Sequence, residues 1–161
     1  MSLFAALVGG FVGTLVLTTV LRAATALRLT RIDLPFLLGS AVSADRMRAA
    51  ALGYTLHFGF GLLFASGYYV VFAAIDEASW WLGALLGVLH ALFAGTALVN
   101  LLLPLVHPRM ATSMSAAHVT PLLEPPGFLL LNYGYSTPLV MIVVHVLYGA
   151  IIGEFVALER G

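Results

Sequence analysis

Three of the five histidines, His57, His90 and His145, stand inside apolar sequence. An ionisable side chain is costly there and by default marks a functional position. Neutral imidazole is the commonest metal ligand, and it can also relay protons. Two of the three sit in glycine ladders of similar design, His57 with Gly53 and Gly61, His145 with Gly149 and Gly153. Two such rings at one depth between helices would suit a b-type haem, with the glycines making room for a flat macrocycle. Adding His90 would suit a transition metal ion such as Zn, Cu or non-haem Fe. The plain alternative for any one of them is a core imidazole hydrogen-bonded to Thr, Asn or a carbonyl.

A weaker second set is His107, Met110, Met114 and His118, which share one face if their segment is helical. Thioether and imidazole together make a soft site of the kind that holds Cu(I), whereas an interfacial turn with methionines toward lipid needs no metal. Asp33, Arg109, Glu124 and Asn132 are polar candidates on the same side of the chain. Pairing of Asp33 or Glu124 with Arg109 is the structural expectation, because isolated charges there need partners. Glu154 lies close enough to a helix end to snorkel to an interface and is given no role. No phosphate loop, nucleophile-and-base arrangement or HExxH pattern occurs, so catalysis is the least supported class. The absence of cysteine excludes disulfides, thiolate-held clusters, covalent haem attachment and S-acylation.

The elements that must position these residues are apolar helices. Hydrophobic residues make up 61% of the 161-residue chain and charged residues 9%, with mean hydropathy +1.06. Soluble domains carry about 25% charged residues, so this surface suits lipid better than water. Four uncharged stretches reach the roughly 20 residues needed to cross a bilayer core: Leu3 to Leu21, Ala49 to Ile75, Ala78 to Val106, and one centred on Thr137 to Gly153. None alternates with period two, which favours helices over barrel strands. The expected fold is an all-α integral membrane four-helix bundle, a single transmembrane domain over residues 1–161. The first span lacks a basic n-region, so Ala24-Thr-Ala26 reads as part of a retained helix and not as a signal-peptide cleavage site.

All seven basic residues are arginine. Arg22, Arg28, Arg31, Arg46 and Arg48 fall in or beside the first loop, while the second carries only Asp76 and Glu77. The positive-inside tendency then predicts a cytoplasmic first loop and both termini outside, with Tyr68, Tyr69, Trp80 and Trp81 as an outer aromatic belt. The arginines read as topology signals that touch anionic headgroups, and zero formal charge with no basic stripe argues against nucleic acid.

The chain also reads as a tandem duplication of a two-helix hairpin, repeat 1 over about residues 1–75 and repeat 2 over about 78–161. Phe11-Val-Gly13-Thr14 matches Phe93-Ala-Gly95-Thr96, and at the same offset Thr18 falls on Asn100. At a slightly larger offset His57 falls on His145 and Gly61 on Gly149. Pro35-Phe-Leu-Leu echoes Pro126-Gly-Phe-Leu-Leu, which predicts two short interfacial or re-entrant segments on the cytoplasmic side. Two spans per repeat give both copies the same orientation, so His57 and His145 are expected to face each other across the repeat axis. The Thr14/Thr18 and Thr96/Asn100 pairs are expected to supply interhelical hydrogen bonds, and small-residue stripes such as Gly83/Gly87 to support close packing or an oligomer face.

Ile32-Asp-Leu-Pro35 with Leu-Leu-Gly39, His57, Gly87-Val-Leu-His90, His107-Pro-Arg-Met110, Leu123-Glu-Pro-Pro-Gly-Phe128, Asn132-Tyr-Gly134 and His145-Val-Leu-Tyr-Gly149 form a multi-part pattern spanning nearly the whole chain. In this the chain resembles a family of small four-span prokaryotic membrane proteins known only as a domain of unknown function. The resemblance implies fold and membrane location, and no activity or cofactor.

Three functional expectations follow. The first is a non-enzymatic membrane protein whose His57, His145 and His90 hold haem b or a metal ion, as an accessory of a redox complex. The second is a small-solute or proton channel or transporter that acts as an oligomer. The third is a structural or assembly subunit whose glycine-rich faces engage a larger membrane complex.

Overall fold

The computed structural model describes residues 1–110 and 123–159. Helix α1 (Leu3–Ala26) starts where the Ser2 hydroxyl accepts the Ala5 N–H, a side-chain cap for an otherwise unpaired donor. It ends in a left-handed turn at Arg28 (φ 61°). There the amides of Arg28 and Leu29 donate back to Thr25 and Ala24, the paired closure that lets a helix stop cleanly. The short α2 (Leu34–Ser40) is capped by Asp33 and carries Pro35 in its first turn, where a missing N–H costs nothing. Asp45 caps α3 (Arg46–Ile75) in the same way.

Helix α4 (Trp80–Phe93) passes into a wider π-helical stretch at Ala94–Leu102 and ends as the single turn α5 (Leu103–Val106). Pro104 has no N–H to give to the preceding turn, and its ring crowds the carbonyl four residues back. The Asn100 amide compensates locally by donating to the carbonyls of Gly95 and Thr96, both at 3.0 Å. A 3-10 turn (Phe128–Tyr133) then leads into α6 (Thr137–Leu158). Among the described residues there is no strand, only an isolated bridge between Met110 and Leu123.

The fold is thus all-α, with four helices long and apolar enough to span a bilayer: Leu3–Ala26, Arg46–Ile75, Trp80–Val106 and Thr137–Leu158. Each half runs long helix, short helical segment, long helix, and the two short segments fall at the sequence echoes Pro35-Phe-Leu-Leu and Gly127-Phe-Leu-Leu. Helix α6 is central, with half of its apolar window buried against 17% for α3. It packs along both α1 and α4, while α1 also packs on α3; α3 and α4 make little direct backbone contact.

Glycine sets the tightest of these contacts. A Cβ at Gly83 would lie 2.1 Å from the Gly149 carbonyl oxygen, and one at Gly87 would lie 2.3 Å from that of His145. The Gly83/Gly87 stripe is therefore packed on α6 of the same chain, the close-packing alternative of its two readings. The paired polar residues also differ from expectation. Thr14, Thr96 and Asn100 turn back to carbonyls of their own helices, and only Thr18 reaches across to another. Short polar side chains in a helix have a carbonyl four residues back within reach, and here that local partner wins.

Candidate functional site

His57, His90 and His145 come from α3, α4 and α6, and all three line one cavity of about 400 Å³. Helices α1 and α6 form its back wall through Thr14, Leu17, Met141, His145 and Tyr148. Leu34, Leu37 and Leu38 of α2, with Leu130, close the end nearest the first loop. Ala94, Leu98, Val99 and Leu102 bring the π-helical stretch to the wall, in keeping with the frequency of such widened turns at functional sites. The rim consists of exposed apolar side chains: Phe60 and Leu63 from α3, Phe93, Leu102 and Val106 from the α4–α5 arm. The mouth therefore opens sideways between the two helices that pack least on each other.

Each imidazole has a different partner. The His145 ring is 5% exposed, and its Nδ1 lies 2.7 Å from the Met141 carbonyl oxygen. A carbonyl only accepts, so Nδ1 carries the hydrogen and Nε2 holds a lone pair. His57 Nε2 lies 3.0 Å from the Thr18 hydroxyl oxygen. That hydroxyl already donates to the Thr14 carbonyl at 2.6 Å, so it must accept from His57, which places the ring hydrogen on Nε2. His90 Nδ1 meets the Tyr68 hydroxyl at 3.4 Å. Its ring packs 4.1 Å from Phe64 and stands edge-on to His145 at 4.7 Å between centroids.

The close pair is thus His90 with His145, not His57 with His145. Helices α3 and α6 touch only sparsely, because α1 lies along both, whereas α4 is drawn onto α6 by the glycine stripe. Among the described residues, no three His, Asp or Glu side chains are gathered closely enough to hold a metal ion. Nor do the described lining residues include an Arg or Lys, which the two carboxylates of a haem would need as partners.

A crevice of about 10 Å³, room for about one water, adjoins the cavity and shares His57 with it. Thr18, Arg22, Thr25 and Asp33 line it together with Leu21, Ile32, Leu34 and Pro35, so His57 stands between the large chamber and a small crevice of mixed lining at the first-loop end.

The second set is structural where it is described. His107 is buried; its Nε2 lies 3.0 Å from the Leu37 carbonyl and 3.3 Å from the Ser40 hydroxyl, and its Nδ1 accepts the Arg109 N–H at 3.2 Å. With both ring nitrogens engaged, it pins α2 to the end of α5. Residues 107–110 form a turn and not the helix that would align the set, because Pro108 follows an extended His107. Met110 is buried beside Leu123, while Met114 and His118 fall outside the described residues.

The polar candidates likewise hold the loops. Arg109 donates to the Ser40 carbonyl at 2.6 Å, and Asp33 caps α2, so neither makes the expected pair. Glu124 instead meets Arg31 at 3.3 Å, an exposed ion pair of small energetic weight. Arg31 also donates to the Asn132 carbonyl, and the Asn132 amide donates to that of Pro125 at 2.9 Å. Burial, with the Glu124 carboxylate nearby, holds the Tyr133 phenol above its usual pKa against the opposing pull of Arg31.

Sequence reasoning missed Tyr148, Tyr68 and Phe64. Tyr148 follows His145 by three positions and donates to the Gly61 carbonyl at 2.5 Å. The sequence places Tyr68 in the outer belt, whereas the structure buries it against His90. The available signal was helical spacing: 57, 61, 64 and 68 share one face of α3, and 141, 145 and 148 one face of α6.

Fold and site together define an all-helical bundle with four membrane-length helices around a histidine-walled lateral cavity. No protein-family model, curated protein or solved structure matches the chain.

Proposed function

We propose that this chain is an integral membrane protein, placed in a prokaryotic cytoplasmic membrane with both termini outside, that binds a lipophilic molecule entering its cavity sideways from the bilayer. The observation that carries this reading is a chamber of about 400 Å³, ligand-sized, with a mouth framed by exposed apolar side chains. An opening of this kind would be an aggregation hazard in water and is harmless when it faces acyl chains. Its interior is apolar except for a few polar groups, the usual design of a small-molecule site.

Haem b or a bare metal ion is the narrower occupant suggested by the histidines. His145 favours it, since a ring nitrogen hydrogen-bonded to a carbonyl is how metal-ligating imidazoles are commonly oriented. The ligand count and the uncharged lining weigh against it. The channel and assembly readings have less support: α2 and Leu130 close the first-loop end with leucines, and the α4 glycine stripe is covered.

Ala94, buried at the cavity wall, gives a direct test. The full chain, purified in detergent, is expected to bind a radiolabelled long-chain lipophile stoichiometrically. Ala94→Phe is expected to reduce that binding at least about tenfold, equivalent to about 1.4 kcal/mol, while circular dichroism shows the helices intact. Equal binding by a folded Ala94→Phe protein would reject the cavity as the site. A Soret band or one metal per chain in the same sample would return the assignment to haem or metal.

A further inference from the structure

The cavity wall is almost wholly apolar, and its few polar groups present lone pairs more than free hydrogens, which selects the ligand. Each polar group can be followed to where its hydrogen goes. Thr14 donates its hydroxyl hydrogen to the Gly10 carbonyl at 2.7 Å. Tyr148 donates to the Gly61 carbonyl at 2.5 Å. His145 gives its Nδ1 hydrogen to the Met141 carbonyl, and His57 gives its Nε2 hydrogen to Thr18. For neutral rings, all four groups that line the cavity are then left as acceptors.

His90 is the exception. Of the two hydrogens in the His90–Tyr68 pair, one is shared between the partners and one stays uncommitted, whichever tautomer holds. Because His90 and His145 stand 4.7 Å apart, a single small ligand group can meet both rings.

Resting on the proposed lipophile-binding role, we infer that the occupant is a neutral lipid whose polar end is a hydroxyl, donating to His145 Nε2. An alcohol oxygen can give its hydrogen to His145, and when Tyr68 donates to His90 Nδ1 it can also accept the His90 Nε2 hydrogen in the same position. A ketone, ester or ether brings only further lone pairs toward His145, Thr14 and Tyr148. A carboxylate does the same with a charge added, and no cationic side chain is present among the described lining residues to receive it. A protonated amine would find no carboxylate there and would lose its hydration on entry.

The experiment compares dodecanol, dodecyl methyl ether and dodecanoate as competitors for a radiolabelled dodecanol probe on the detergent-purified full chain. The expected order is dodecanol about tenfold tighter than the ether, one hydrogen bond's worth in a dry site, with dodecanoate weakest. In His145→Phe, which keeps a ring and loses the acceptor, alcohol and ether are expected to bind alike. Equal binding of alcohol and ether to the unaltered protein overturns the hydroxyl inference and leaves the lipophile role standing. Failure of all three to bind overturns both, as does a bound metal ion found to occupy His145.

Discussion

At the scale of single residues, the buried imidazoles are held by hydrogen bonds whose direction is fixed, and this makes their removal asymmetric. Among the described residues, the His57 side chain has Thr18 as its hydrogen-bond partner. Thr18→Val keeps the side-chain shape and leaves a buried ring N–H without an acceptor, a loss of about 1–3 kcal/mol. Thr18→Ser keeps the oxygen and is expected to stay within about 1 kcal/mol of the parent. Adding His57→Phe to Thr18→Val removes both polar partners and should recover part of the loss, since deleting a pair costs less than orphaning one member. Thermal unfolding of the four proteins in one detergent reads all of this, and equal melting of Thr18→Val and Thr18→Ser would refute the assigned hydrogen. The sequence made the three imidazoles visible, because a histidine in lipid-like surroundings stands out. It could not reveal their pairing: that depends on which helices are neighbours, and similar glycine ladders on α3 and α6 do not say which one α4 will occupy.

At the scale of elements, the glycines divide into two classes that composition cannot separate. Gly83 faces the backbone of α6, where a methyl group would need to sit 2.1 Å from a carbonyl oxygen. Gly59 and Gly67, on α3, face open space. Gly83→Ala is expected to push α4 from α6 and destabilise by about 1–3 kcal/mol or more, as overpacking does. It should also loosen the His90–His145 contact that those helices bring together. Gly59→Ala is expected to stabilise α3 by about 0.5–1 kcal/mol, because glycine is the poorer helix former. Melting temperatures moving in opposite directions would support this division, whereas a neutral Gly83→Ala would place the α4–α6 contact elsewhere. The four long helices were legible from hydropathy and length alone, and the short segments from their prolines. The π-helical stretch was not, since neither Pro104 nor Asn100 says by its type that the helix widens over Ala94–Leu102 rather than kinks. The end of α1 beyond Leu21 was hidden because a charged Arg22 and a left-handed Arg28 look like a loop until the closing hydrogen bonds are seen.

For the whole molecule, α1 and α6 form the back wall and are fastened to each other at both ends. At the first-loop end, the hydroxyls of Thr30 and Thr137 meet at 2.8 Å, and the Arg31 amide donates to the Tyr133 carbonyl at 2.8 Å. At the other end the Glu159 carboxylate accepts from the Ser2 amide at 2.5 Å and the Ser2 hydroxyl at 2.6 Å. The hydroxyl bond is the main reason the Glu159 carboxyl titrates below its ordinary value of 4.5. A carboxyl whose pKa is lowered by folding contributes stability that is present above the unfolded pKa and fades as pH falls through the folded one. The two first-loop hydrogen bonds are made by hydroxyl and backbone groups and do not titrate over that range, and the exposed Arg31–Glu124 ion pair beside them is common to all the proteins compared. Stability is therefore expected to decline below about pH 4.5 in the parent, with less decline in Ser2→Ala and less again in Glu159→Gln, which cannot ionise. Ser2 also caps α1, so Ser2→Ala carries a second loss of about 0.5–2 kcal/mol that does not vary with pH. The pH-dependent part is diagnostic: the gap between parent and Ser2→Ala should narrow toward the cap contribution as the carboxylate protonates. A gap that stays constant from neutral to acid pH would mean that the clasp adds nothing, and that α1 and α6 are held by their glycine-lined contact and the first-loop ties alone.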